Sequence, residues 1–181
     1  MKLPVRLQHR KSSWLVKPFN SGNLRSWLVD NGSLTARLRA RYADFSVQPV
    51  LLKNAKAFTD ELVPLGLKSN QHALIREVLL MGNHQPVVFA HSVLPHASLR
   101  GDWRSLGRLG NKPLGAALFA NAKVKRTPLE YKKLSRQHPI SMRVSEHVSN
   151  APKVLWARRS VFQLNCAKIL VTEVFLEQLF K

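Results

Sequence analysis

Acidic residues are scarce in this chain: 10 Asp and Glu face 29 Lys and Arg over 181 residues, a formal net charge of +19. Such an excess attracts nucleic acids, membrane surfaces and acidic metabolites alike, and says little about the fold. Cysteine is nearly missing. Cys166 stands alone, which excludes an intrachain disulfide and any cysteine-based zinc cluster. No apolar run approaches the roughly 18–20 residues that span a bilayer, and the longest candidates, such as PVVFAHSVL from Pro86, are strand-sized. The histidines show no HExxH or other metal-ligand spacing. A Gly-rich phosphate loop, a G-x-S-x-G elbow and a Ser-His-Asp set are also missing. Basic residues are scattered rather than gathered with aromatics into a nucleic-acid motif. The expectation is a cytoplasmic protein without a transmembrane segment or a metal site.

What is present fits one domain, since 181 residues with 45% hydrophobic content suffice for a sizeable core. The N-terminus carries Lys2, Arg6, Arg10 and Lys11, with no acid before Asp30. Its composition resembles a transit peptide, but Pro4 and Pro18 interrupt it. Residues 1–22 are therefore read as a basic, loosely structured lead-in to a domain over 23–181. Leu24, Trp27, Leu28, Leu34 and Leu38 follow helical spacing. Asn31, Gly32 and Ser33 split that run in two, with Ser33 as the second N-cap. Residues 45–52 read as a strand that Pro49 pushes toward a sheet edge.

A clear hairpin spans 73–80 and 87–94 around Gly82, Asn83, His84 and Gln85. Residues 95–113 read as loop with one short helix, and 114–121 as helix. The segment 122–133 is ambiguous between strand and helix. Polar residues, Pro139 and Pro152 mark 137–153 as a loop or insertion. A second hairpin joins 154–164 to 169–176. Hairpins in place of βαβ units imply an α+β domain, an antiparallel sheet with helices on one side.

Two charges interrupt apolar strands: Glu173 in ILVTEVF and Arg76 in ALIREVLL. A charge buried among apolar neighbours is costly unless paired or used. Strand alternation puts Arg76 with Leu74, Val78 and Leu80, and Glu173 with Ile169, Val171 and Phe175; Glu77 points to the opposite face. If both faces point inward, Arg76 and Glu173 converge on one apolar cavity suited to a small anion, with arginine as a two-pronged carboxylate donor. The pattern equally fits a structural ion pair between the two. Gly110, Asn111, Lys112, Pro113, Leu114 and Gly115 lead into a helix, where free N–H groups can meet an anion; a plain loop-to-helix junction fits as well. Of Arg158 and Arg159, alternation lets one enter the cavity, and at least one is expected to be solvated. His91 reads as a core or rim histidine.

The chain resembles the bacterial chorismate lyase family. The resemblance rests on SWLVDNGSLTARL (26–38), LIREVLLMGNHQPVVFAHSVLP (74–95), LGNKPLGAALF (109–119), LWARRSVFQL (155–164) and ILVTEVFL (169–176), in that order. It implies a monomer with helical flaps over a buried ligand site, and a reaction without metal or cofactor. That reaction takes chorismate to 4-hydroxybenzoate and pyruvate, the first committed step of ubiquinone synthesis. By resemblance, Arg76 and the backbone amides of Leu34 and Leu114 hold the ring carboxylate, and Glu173 contacts the ring hydroxyl. Leu34 departs from the methionine expected there, which a backbone amide tolerates. His91 stands where the family strand carries arginine.

Effector-binding domains of bacterial transcription regulators share that architecture, but normally follow a winged helix-turn-helix module. About 23 residues before the first helix are too few for one. A basic nucleic-acid-binding protein would account for the charge, but not for Arg76 and Glu173.

Overall fold

Two long hairpins make the body of the sheet. The computed structural model describes residues 14–104, 106 and 114–180. In chain order the elements are α1 (Arg25–Leu28), α2 (Leu34–Arg41), β1 (Ser46–Lys56), α3 (Thr59–Leu65), β2 (His72–Gly82), β3 (Gln85–Pro95), α4 (His96–Arg100), α5 (Leu114–Ala120), β4 (Lys125–Arg126), β5 (Glu130–Ser135), α6 (Pro139–Ser145), β6 (Val154–Leu164) and β7 (Ala167–Phe175). Short 3-10 turns cover Gly22–Leu24 and Glu177–Phe180. The strands form one antiparallel sheet in the order β1-β2-β3-β7-β6-β4, with β5 also paired to β6.

The β2–β3 hairpin closes on Asn83 and His84, at φ 49° and 60°. Two left-handed residues match the twist of the flanking strands. Gly82, beside that turn, has no alternative: a Cβ there would lie 2.5 Å from the Tyr42 ring. β1 is an edge strand with its register break between Pro49 and Leu51, as expected of a proline that cannot donate to the ladder. It runs to Lys56, beyond the expected end at 52; of the extra residues Lys53, Asn54 and Lys56 are exposed, while Ala55 packs inward.

The α+β class and the antiparallel sheet are as expected, but the helices expected on one side cover both faces, because both faces of the central strands are apolar. α1, α2 and α5 pack on the face of Val78, Leu80, Phe162 and Phe175. α3 and α6 cover the other face: Leu65 meets Ile75 and Val93, while Ile140 and Val144 meet Leu79, Phe89 and Val174. The central strands are consequently buried on both sides.

α6 corrects the reading of 137–153 as loop. Pro139 stands at its first turn, and His138 caps it by accepting from the Ile140 amide. Trp14 and Leu15, in the segment read as a loose lead-in, are docked: Leu15 bridges Tyr131, and Trp14 Nε1 donates to Asp60 at 2.8 Å. Among the described residues no helix is long and apolar enough to cross a membrane.

Candidate active site

One rung of the sheet carries Arg76, Ser92, Val171 and Ser160, paired in turn across β2, β3, β7 and β6. The next rung carries Val78, Ala90, Glu173 and Arg158. Because side chains alternate, all of these share one face. α2 and α5 roof that face and leave a cavity between them and the sheet. Its walls include Leu34 and Thr35 from α2, Leu114 and Leu118 from α5, and Arg76, Ser92, Val171 and Glu173 from the floor.

The roof is possible because the two helices approach closely. Ser33 caps α2, accepting from the Ala36 amide at 3.3 Å, as its sequence position indicated. Facing it, Gly115 stands on α5 where a Cβ would come within 3.4 Å of Thr35 Oγ1. An added Cβ would just touch that hydroxyl, and a branched side chain would crowd the seam between the helices. Leu34 and Leu114 are the first residues of α2 and α5, so their N–H groups have no acceptor within their own helices.

The structure thus brings Arg76, Glu173, Leu34 and Leu114 to one cavity. Of the loop ahead of α5, residues 110–113 lie outside the described residues. Arg76 is 5% exposed. Burial lowers its pKa from the ordinary arginine value, without bringing deprotonation within reach.

The ion pair of Glu173 involves a different arginine from the one considered in sequence. Arg158 Nε donates to Glu173 Oε2 at 2.5 Å. Arg158 Nη1 donates to the carbonyls of Trp27 at 2.8 Å, Leu28 at 3.4 Å and Asp30 at 2.6 Å. One guanidinium therefore satisfies the last carbonyls around α1 and fixes Glu173 at the cavity floor. The expectation that Arg158 or Arg159 is solvated is overturned, as both are at most 2% exposed. Arg159 lies on the opposite face, donating to Glu130 at 2.8 Å and to the Asp60 carbonyl at 3.0 Å. Both arginines find partners remote in sequence, which strand alternation cannot reveal, and only Nη2 of Arg158 is buried without one.

Arg126 escaped the sequence reading altogether. It lines the cavity from β4, a two-residue strand too short to show a period. Its Nε donates to Ser160 Oγ at 2.7 Å and Nη1 to the Asn31 carbonyl at 2.9 Å. Burial lowers its pKa, and the charge of Glu173 opposes that.

Behind the sheet, His91 sits between two buried carboxylates. Its Nδ1 is 2.9 Å from Glu77 Oε1. Its Nε2 is 3.2 Å from Glu61 Oε1, at ion-pair distance but outside hydrogen-bond alignment. Phe58 stacks on the ring, and Arg143 of α6 clamps Glu77 at 2.6 Å. Burial alone would lower the His91 pKa, but the charge of Glu61 and bonds to both carboxylates raise it to about 9. Burial alone would raise that of Glu77, but bonds from His91 and Arg143 bring it to about 2. The site wants a cation, and protonated histidine supplies one where the resemblance puts arginine.

The pH consequence follows from these directions. The contribution of Glu77 is complete above its ordinary 4.5 and lost as pH falls toward about 2. That of His91 is complete below its ordinary 6.5 and lost as pH rises through about 9. The urea midpoint is expected to fall between those two His91 values. In His91→Arg, whose charge does not titrate there, this part of the fall disappears. Equal slopes in the two proteins would remove His91 from the account.

A sheet roofed by paired helices over a cation-lined cavity defines a protein that takes a small organic anion into its interior. The family model for chorismate lyase matches residues 12–181, and this chain belongs to that family. It is 48% identical to a probable chorismate pyruvate-lyase of Thiobacillus denitrificans, covering 92% of this chain and 89% of the relative. It is 47% identical to one of Nitrosospira multiformis, covering 94% and 96%. Among solved structures, a PhnF C-terminal domain matches with a TM-score of 0.56 and 13% identity, over 73% of this chain and 82% of that one. The C-terminal domain of a histidine utilization repressor from Pseudomonas syringae matches at 0.52 and 10%, over 74% and 92%. These last two likenesses are of fold alone.

Proposed function

We propose that this protein is a chorismate pyruvate-lyase, converting chorismate to 4-hydroxybenzoate and pyruvate, the step that commits chorismate to ubiquinone synthesis. The observation that carries this reading is the meeting of Arg76, Glu173, Leu34 and Leu114 around one cavity, in a chain of this family. The planar fork of Arg76 takes the ring carboxylate, helped by the amides of Leu34 and Leu114. Glu173, one oxygen held by Arg158, offers the other to the ring hydroxyl.

The chemistry asks little more than positioning. The ether bond to the enolpyruvyl arm breaks and the neighbouring ring carbon loses its proton. The ring becomes aromatic. The enolpyruvate released takes up one proton at its methylene carbon and becomes pyruvate, so atoms and charge balance. Aromatisation supplies the driving force. The protein contributes a fixed orientation, exclusion of water under the helical roof, and a field that favours departing negative charge. The same roof must open to release the product, and that opening is expected to limit turnover.

The reading is tested by incubating purified protein with chorismate in excess chelator. 4-Hydroxybenzoate and pyruvate are expected in equal amounts. Folded protein that leaves chorismate unchanged would sink it, and activity restored by an added divalent ion would sink the metal-free mechanism. A separate expectation concerns the roof: Gly115→Val crowds the seam between α2 and α5, so KM rises severalfold while the sheet, read by its melting transition, is little affected. An unchanged KM would show that the close approach at Thr35 does not shape the site.

A further inference from the structure

We propose that Arg126, presented by Ser160, is the receptor for the second carboxylate of the substrate, the one on the enolpyruvyl arm; this rests on the reading of chorismate as the substrate. Chorismate is a dianion, and Arg76 with two amides accounts for one of its carboxylates. Burying the other without a partner would be costly. Among the described residues that line the cavity, the cations are Arg76 and Arg126.

Their placement fits a molecule with a charge at each end. Arg76 and Ser160 close the two ends of one rung, through Ser92 and Val171. Three strand spacings of about 4.8 Å separate their backbones, roughly 14 Å in all. Arginine side chains border the cavity from both ends of that rung, Arg76 from β2 and Arg126 from β4 beyond β6. Glu173 lies on the adjacent rung, beside Val171 and Ser160. The enolpyruvyl arm leaves the ring from the carbon next to the hydroxyl. A Glu173 that meets the hydroxyl therefore directs the arm toward Ser160 and Arg126, not toward Arg76. Glu173 is also the strongest favourable charge acting on Arg126.

Arg126 is held ready for this role. Nε is fixed by Ser160 Oγ and Nη1 by the Asn31 carbonyl. Phe162 and Phe119 flank the guanidinium, with ring centres 5.1 and 5.5 Å from Cζ. The second hydrogen of Nη1 and those of Nη2 form the fork assigned to the carboxylate. A receptor at the leaving group also explains selectivity. It holds the arm through bond cleavage, and has nothing to hold in 4-hydroxybenzoate, which lacks the second carboxylate.

That difference supplies the test. kcat/KM for chorismate and Kd for 4-hydroxybenzoate are measured on wild type, Arg126→Met, Arg126→Lys and Arg76→Ala. Arg126→Met is expected to lose about tenfold to a hundredfold in kcat/KM, the equivalent of one charged hydrogen-bonded contact, with product Kd within about twofold of wild type. Arg126→Lys recovers part of the loss, because it keeps charge but not the fork. Arg76→Ala weakens both parameters. If Arg126→Met loses product affinity as much as it loses kcat/KM, Arg126 is only a strap on the Asn31 turn and the assignment is overturned. Unchanged kcat/KM overturns it too. Should the Met variant fail to fold, the Lys variant must show the same split, and equal losses in it count against the proposal. Wild-type protein without turnover refutes the substrate reading itself, a result distinct from each of these.

Discussion

Arg76→Ala is expected to lower kcat/KM for chorismate by about tenfold or more and to weaken 4-hydroxybenzoate binding in parallel. Arg76 is 5% exposed and borders the cavity, so a carboxylate meets it largely desolvated. A hydrogen bond to a charged group contributes about 1.5–3 kcal/mol, and a two-pronged contact lies at the upper end. Both ligands carry the ring carboxylate, so both should suffer. Arg76→Lys keeps the charge but loses the planar fork, and should rescue only part of the rate. Steady-state kinetics beside product titration check this. Wild-type kinetics in Arg76→Ala would show that the residue belongs to the fold and not to the site.

The largest effect on stability is expected at Arg158. Removing its guanidinium in Arg158→Met leaves Glu173 without its cation and strips a donor from the carbonyls of Trp27, Leu28 and Asp30. Breaking a buried pair from one side costs about 3–5 kcal/mol, a large share of the roughly 5–15 kcal/mol of a whole domain. Glu173→Gln should behave differently. The amide oxygen can still accept from Arg158 Nε, and the carbonyls still occupy Nη1, so the loss in a denaturant melt should stay below that of Arg158→Met. Its kcat should fall nonetheless, because an amide cannot hold or relay a proton as a carboxyl can. A Glu173→Gln protein that melts early yet turns over normally would reduce Glu173 to a structural partner of Arg158.

The contrast between these two arginines shows what a sequence can disclose. Arg76 and Glu173 were legible because each interrupts an apolar strand, and a period of two residues fixes which neighbours share their face. The hairpins that bring them together were legible for the same reason. The partner of Glu173 was not. Arg158 looks like one of two adjacent basic residues, and its acceptors on Trp27, Leu28 and Asp30 lie about 130 positions away in the chain. Arg126 was invisible because β4 is two residues long. α6 was hidden because only Ile140, Ser141 and Val144 of PISMRVS are buried, leaving a surface too polar to read as amphipathic. His91 stood out only against the resemblance. Its role became clear when the fold set Glu61, 30 positions away, on its far side at 3.2 Å.

The most direct test of the central claim is a crystal structure with 4-hydroxybenzoate bound. The expected density is a ring beneath α2 and α5, its carboxylate within hydrogen-bond distance of the Arg76 guanidinium and its hydroxyl against Glu173. A ligand bound outside this cavity, or inverted with its carboxylate on Arg126 and its hydroxyl toward Arg76, would contradict it.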